Sequence, residues 1–128
     1  MPRPLALGAA LLAFFTQDPL AARVKQTAYA RMDRALAISR DGAVVGFVEA
    51  SNGGAEPEAE IRKRDARWKA GGEAALRKEV TSSPCAQRLR TLVRDDSFVL
   101  EAILMDAQGV IVCSTVETSD YWQGDEDK

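Results

Sequence analysis

The chain has 128 residues, 46% of them hydrophobic, and a formal net charge of −2, which is enough for one domain with a core. Its Lys and Arg are interleaved with Asp and Glu, so it lacks the basic footprint of a nucleic-acid or anionic-membrane binder. Histidine is absent, which removes the commonest general base and the commonest metal ligand.

The N-terminus carries Arg3, then an unbroken apolar run from Leu5 to Phe15, then a polar break and small residues through Ala22. That order is the layout of a secretory signal peptide over residues 1–22. The run is too short to span a bilayer, which takes about 20 apolar residues. The expected mature chain starts near Arg23 and is periplasmic or secreted. The alternatives are a buried or interfacial N-terminal helix and an uncleaved membrane anchor.

From Leu20 to Ser39, Leu20, Val24, Ala28, Met32 and Leu36 recur every fourth position, one stripe along a helix. Asp41 and Gly42 interrupt it. Ala43–Ala50 is ambiguous: its β-branched content favours a strand, yet Val44, Phe47 and Val48 also fit one helical face. Ser51–Gly54 is a stop. Glu56 and Pro57 restart a helix. There Glu58/Arg62, Glu60/Arg64 and Asp65/Lys69 are acid-before-base pairs that support an exposed face, while Ile61 and Trp68 share the face left for the core. Glu73–Val80 is a short helix. Ser83 before Pro84 is a cap followed by a proline at the first helical position, and Cys85, Leu89, Leu92 and Val93 form the stripe of the next helix.

The Asp95–Ser97 turn leads into an expected hairpin, Phe98–Asp106 and Val110–Val116, around the turn Asp106–Gly109. Both faces of the first strand are mostly apolar, so it should be covered on both sides. Glu101 is then either a rim residue or a pocket carboxylate. Cys85 and Cys113 can pair in an oxidising compartment, closing a loop of about 28 residues worth about 3–4 kcal/mol. The other reading is two small buried hydrophobes.

Thr118–Asp125 packs hydroxyl, carboxylate, amide and aromatic groups into one loop at the hairpin's end. Asp120, Tyr121, Trp122, Gln123 and Asp125 are the expected ligand-binding residues. Tyr121 and Trp122 could stack on a ligand or simply pack over the end of the sheet. Asp120, Asp125, Glu126 and Asp127 lack the alternating ligand spacing of a calcium loop and read as a solvated acidic tail, so no metal is expected. No phosphate loop, dinucleotide fingerprint or zinc spacing is present, so no cofactor is expected. Ser82, Ser83 and Ser114 have no evident base, and no catalytic constellation emerges.

The turn Asp106–Gly109 and the run Thr118–Glu126, with a weaker match over Ile61–Trp68, resemble the extracytoplasmic Cache sensor domains of the PAS-like superfamily, especially the bacterial PDC-type sensors. The resemblance implies an α+β fold in which N-terminal helices pack on a hairpin that starts a larger antiparallel sheet, with Val44–Ala50 helical. Residues 23–128 would form a single domain of this kind, incomplete after the first hairpin and its loop. It implies an exported, non-catalytic sensing or ligand-binding module for a small polar metabolite, an amine or a carboxylate. The alternatives are an interaction module whose exposed sheet edge pairs with a partner chain or a second copy, or a remnant of a longer receptor.

Overall fold

The computed structural model describes residues 18–125. The apolar run of the expected leader and residues 126–128 of the acidic tail lie outside the described residues. Among the described residues five helices precede one antiparallel hairpin: α1 (Pro19–Ser39), α2 (Gly42–Gly53), α3 (Glu58–Lys69), α4 (Ala74–Ser82), α5 (Pro84–Val93), β1 (Ile103–Met105) and β2 (Ile111–Ser114). The fold class is α+β.

The chain divides into two units between Arg34 and Ala35, within α1. The described part of the first unit is helix, with Leu20, Val24, Tyr29 and Met32 exposed along it. The second unit, from Ala35 onward, carries the other four helices of the described residues and the hairpin.

Capping explains where its helices start. The Asp41 carboxylate accepts from the Ala43 and Val44 N–H groups at 3.2 Å each, satisfying donors that open a helix. The same carboxylate pairs with Arg88 of α5. These interactions, with Val44 buried and Phe47 packed inward, make Gly42–Gly53 helical against its strand propensity. Pro57 occupies the cap position of α3 in extended geometry, just outside the helix. Ser83 Oγ accepts from the Ala86 N–H at 3.2 Å, with Pro84 in the first turn of α5.

On α3 the expected charge pairs form only in part. Glu58 pairs with Arg62 at 2.6 Å and Asp65 with Lys69 at 2.7 Å. Arg64, however, turns back to Glu56, and Glu60 takes Lys63 instead. Asp65 belongs to no exposed face: it is 5% accessible and shares the buried face with Ile61 and Trp68.

The strands are shorter than their apolar runs. Phe98 and Leu100 are 78% and 87% exposed and precede any pairing. The turn accounts for this: Phe98 N–H donates to Asp96 Oδ1 at 3.1 Å, and Val99 N–H to the Asp96 carbonyl at 3.1 Å. The backbone that would begin the ladder is thereby spent locally. Pairing runs Ile103 to Ser114, Leu104 to Cys113 and Met105 to Ile111. Val112 is the extra residue of a bulge.

Two apolar clusters flank the hairpin. Ile61, Trp68, Val80, Val110, Ile111, Tyr121 and Trp122 form one, with Ile103 against it. Cys85, Ala86, Leu89 and Cys113 form the other, with Ala102 and Leu104 against it. Ile103 and Leu104 point to opposite faces, so β1 is covered on both sides at these two residues, while Met105 is exposed. Cys85 and Cys113 are joined in a disulfide that ties the start of α5 to β2. No helix among the described residues is long and apolar enough to cross a membrane.

Candidate functional site

The hairpin turn is the hub of the polar groups. Asp106 Oδ1 accepts from the Gln108 N–H at 2.9 Å and the Val110 N–H at 3.1 Å, which closes the turn around Gly109. Asp106 Oδ2 accepts from Ser51 Oγ at 2.9 Å. Beside it, the Ala107 N–H donates to Asn52 Oδ1 at 2.8 Å. The Gln108 amide grips Glu56 on both sides: its Nε2 donates to the Glu56 carbonyl at 2.7 Å, and its Oε1 accepts from the Glu56 N–H at 3.1 Å. The end of α2 and the approach to α3 therefore clasp a turn more than 50 residues away in sequence.

The Thr118–Asp125 loop folds back onto the same turn. Gln123 N–H donates to the Gly109 carbonyl at 2.8 Å, and Ile111 N–H to the Tyr121 carbonyl at 3.2 Å. Trp122 Nε1 donates to the Gln108 carbonyl at 2.7 Å. From the other side α3 holds the loop. Asp65 Oδ1 accepts from the Tyr121 and Trp122 N–H groups at 3.0 and 3.1 Å, and Trp68 Nε1 donates to the Thr118 carbonyl at 3.0 Å. Arg62 lies over the Trp122 ring and Arg64 over the Tyr121 ring, at 4.7 and 5.8 Å from the centroids.

Electrostatics follow from this packing. Burial would push the Asp65 carboxyl up, but Lys69 and the Trp122 and Tyr121 N–H groups outweigh it, and it lies below the usual Asp range. Lys69 is raised in turn, chiefly by Asp65. The Tyr121 phenol is raised by burial, against the opposing pull of Arg64. Arg64 is raised by its hydrogen bonds to Glu56, so it stays a cation.

Between these elements lies a cleft of about 240 Å3. Its polar lining is Ser51, Glu56, Arg64, Asp106, Gln108 and Tyr121. A second cleft of about 310 Å3 adjoins it and shares Ser51, Val110 and Tyr121; its apolar lining includes Phe47, Leu76, Val80 and Val112. Paired mouths of this kind, one polar and one apolar, suit a small organic molecule.

Comparison with known proteins matched no family model, no curated protein and no solved structure.

The five residues singled out from the sequence divide. Tyr121 lines both clefts. Trp122 is 5% accessible and borders a separate cleft of about 280 Å3 with Glu58, Ile61 and Gln108. Asp120 and Asp125 lie 3.6 and 3.8 Å from Lys69, outside the polar cleft. Gln123 contributes its backbone to the turn. Sequence reasoning missed Ser51, Glu56, Arg64 and Gln108 as cleft residues, and it read Asp106 only as a turn residue. These come from four separate segments, and no spacing rule joins them. The one local hint is Glu56 beside Pro57, an acid placed where the chain must stop before a new helix.

Proposed function

We propose that this chain is an exported, non-catalytic small-molecule sensing or ligand-binding module of the Cache/PDC type. The observation that carries the reading is the polar cleft beside the Asp106–Gly109 turn, whose walls are fixed by hydrogen bonds from α2, α3 and the Thr118–Asp125 loop. Walls so fixed lose little entropy on binding, which favours affinity for a small partner. The distinctive loop that carries the resemblance is the segment that closes this cleft, through Tyr121.

Thermal unfolding across a collection of polar metabolites tests it. A ligand at one hundred times its Kd stabilises the folded state by about 2.7 kcal/mol, a rise in Tm of several degrees for a domain this size. Absence of any shift across amines, carboxylates and neutral polar metabolites would overturn the reading. Export is tested separately: N-terminal sequencing of periplasmic protein should begin near Arg23, and an intact Met1 on cytoplasmic protein would contradict it.

A second reading has its own observation. Ala102 and Asp106 bond toward β2, so the alternation of an antiparallel ladder leaves the backbone of Ile103 and Met105 on the far edge. Met105, Phe98 and Leu100 are exposed along that stretch. An added strand from a partner chain or a second copy would pair there. Sedimentation over a range of concentrations reads self-pairing directly, and Met105→Pro should abolish any association that uses this edge.

A further inference from the structure

The charge in the groove is one-sided. Asp106 is half-buried on the wall of the polar cleft and accepts only neutral donors: Ser51 Oγ and the Gln108 and Val110 N–H groups. Among the described residues no Lys or Arg pairs with it. The cation in the lining, Arg64, is already occupied. Its two terminal nitrogens lie 2.5 and 2.9 Å from the Glu56 carboxylate oxygens, and its guanidinium rests over Tyr121. An anionic ligand would have to break that bidentate pair and face two carboxylates, whereas a cation meets an uncompensated carboxylate and a hydroxyl. The adjoining cleft adds Glu79 to an otherwise largely apolar wall. Desolvating a lone carboxylate is costly unless a cation joins it.

We infer that the two adjoining clefts form one groove for an amphiphilic amine, with the ammonium beside Asp106 and Ser51 and the apolar body against Phe47, Leu76, Val80 and Val112. This rests on the ligand-binding reading and narrows its two chemical classes to one. The ammonium donates to the free lone pairs of the Asp106 carboxylate and to Ser51 Oγ, which keeps its own proton on Asp106. Tyr121, common to both clefts, marks the point where the ligand passes from polar to apolar surroundings.

Calorimetric titration of the full chain with butylamine, hexylamine, octylamine and phenethylamine, against hexanoate and hexanol, tests the inference. The amines should bind, with affinity rising about threefold to fourfold per added methylene until the apolar cleft is filled. Hexanoate should bind at least tenfold more weakly than hexylamine. Asp106→Asn keeps an oxygen for the Gln108 and Val110 N–H groups, so the turn is retained, and it should weaken hexylamine at least tenfold while leaving hexanol unchanged. Amide shifts of Ser51 and Tyr121 in the unaltered protein locate the amine without relying on any variant. Hexanoate binding as tightly as hexylamine would overturn the inference and leave the ligand-binding reading standing. Failure of every amine would overturn it too, while the metabolite collection decides the broader reading independently. Amine binding without Ser51 and Tyr121 shifts would place the ligand elsewhere and overturn the groove.

Discussion

Asp65 on α3 accepts a hydrogen bond from the backbone N–H of Tyr121 at 3.0 Å, across 56 positions of sequence. The same oxygen takes the Trp122 N–H, and the other takes Lys69. One carboxylate therefore anchors the loop that closes the polar cleft. It also explains why a charged side chain can be buried here: every lone-pair direction in use meets a donor.

Replacing Asp65 should loosen this loop before anything else. Asp65→Ala leaves two buried N–H groups without a partner, at about 1–3 kcal/mol each, so a loss of at least about 2 kcal/mol is expected. Asp65→Asn keeps an acceptor for the two N–H groups, and Lys69 still has Asp120 and Asp125 nearby. It should cost clearly less. Urea midpoints of the two variants against the parent protein check the order. Equal losses would mean that the charge, and not the pair of hydrogen bonds, is what the loop needs.

Acid should unfold the protein through the same groups. Asp65 lies below its ordinary value of 3.8 for the reasons given above; Asp41 is lowered first by its hydrogen bond to Arg88, and Glu56 is lowered from 4.5 by Arg64. A lowered folded-state value means the unfolded chain binds protons first as pH falls. The contribution of these groups is complete above the ordinary carboxylate range and is lost as pH drops through their lowered values. Stability should therefore be flat from neutrality to about pH 5 and fall steadily below it. In Asp65→Asn the slope below that point should be shallower. Midpoints of denaturation at a series of pH values give both slopes.

Much of this architecture is legible in the chain because the signals are local. Ser83, a short polar side chain before an apolar stripe, caps its helix as that chemistry requires; Asp41, read from the sequence only as an interruption, does the same for α2. Ile61 and Trp68 share a buried face at their helical spacing. The errors share a cause. Phe98 and Leu100 look like strand core, but Asp96 captures the Phe98 and Val99 N–H groups in a turn, and turn capture leaves only a faint trace in hydrophobic pattern. Asp65 looks like half of an exposed ion pair because Lys69 follows at the right distance, yet its second role depends on a loop far along the chain. The cleft was illegible for the same reason: Ser51, Glu56, Arg64 and Asp106 converge only after α2, α3 and the hairpin turn have packed.

The disulfide should carry a substantial share of stability. Cys85 and Cys113 are 28 residues apart, and a cross-link of that length restricts the unfolded chain by about 3–4 kcal/mol. Both residues sit in the cluster with Ala86 and Leu89, so reduction leaves two thiols in an apolar site that tolerates them. The reduced protein should keep its helical signal and lose Tm. Scans with and without a phosphine reductant measure the difference. An unchanged Tm would show that α5 is held to β2 by packing alone.

Gly109 should be a restrictive glycine in the site, both for its backbone angle and for its close contacts. Its φ of +77° is one that other residues adopt at a cost of about 1–3 kcal/mol. A methyl group there would also lie 2.8 Å from the Gly124 nitrogen and 2.9 Å from its Cα. Those are backbone atoms and cannot rotate away. Gly71 provides the matched control: its φ is +84°, and nothing lies within 4 Å of the position a Cβ would take. Gly71→Ala should therefore show the conformational cost alone. Gly109→Ala should show that cost plus displacement of the 122–124 segment from the turn, breaking the bonds from Gln123 N–H to Gly109 and from Trp122 Nε1 to Gln108. Urea midpoints give the energetic order. Tryptophan emission separates the mechanisms, because Trp122 would become wet and shift to the red while Trp68 stayed buried on α3. A red shift in Gly109→Ala and none in Gly71→Ala is the expected result; equal midpoints with no shift in either would mean that the turn and the loop are not in the close contact described.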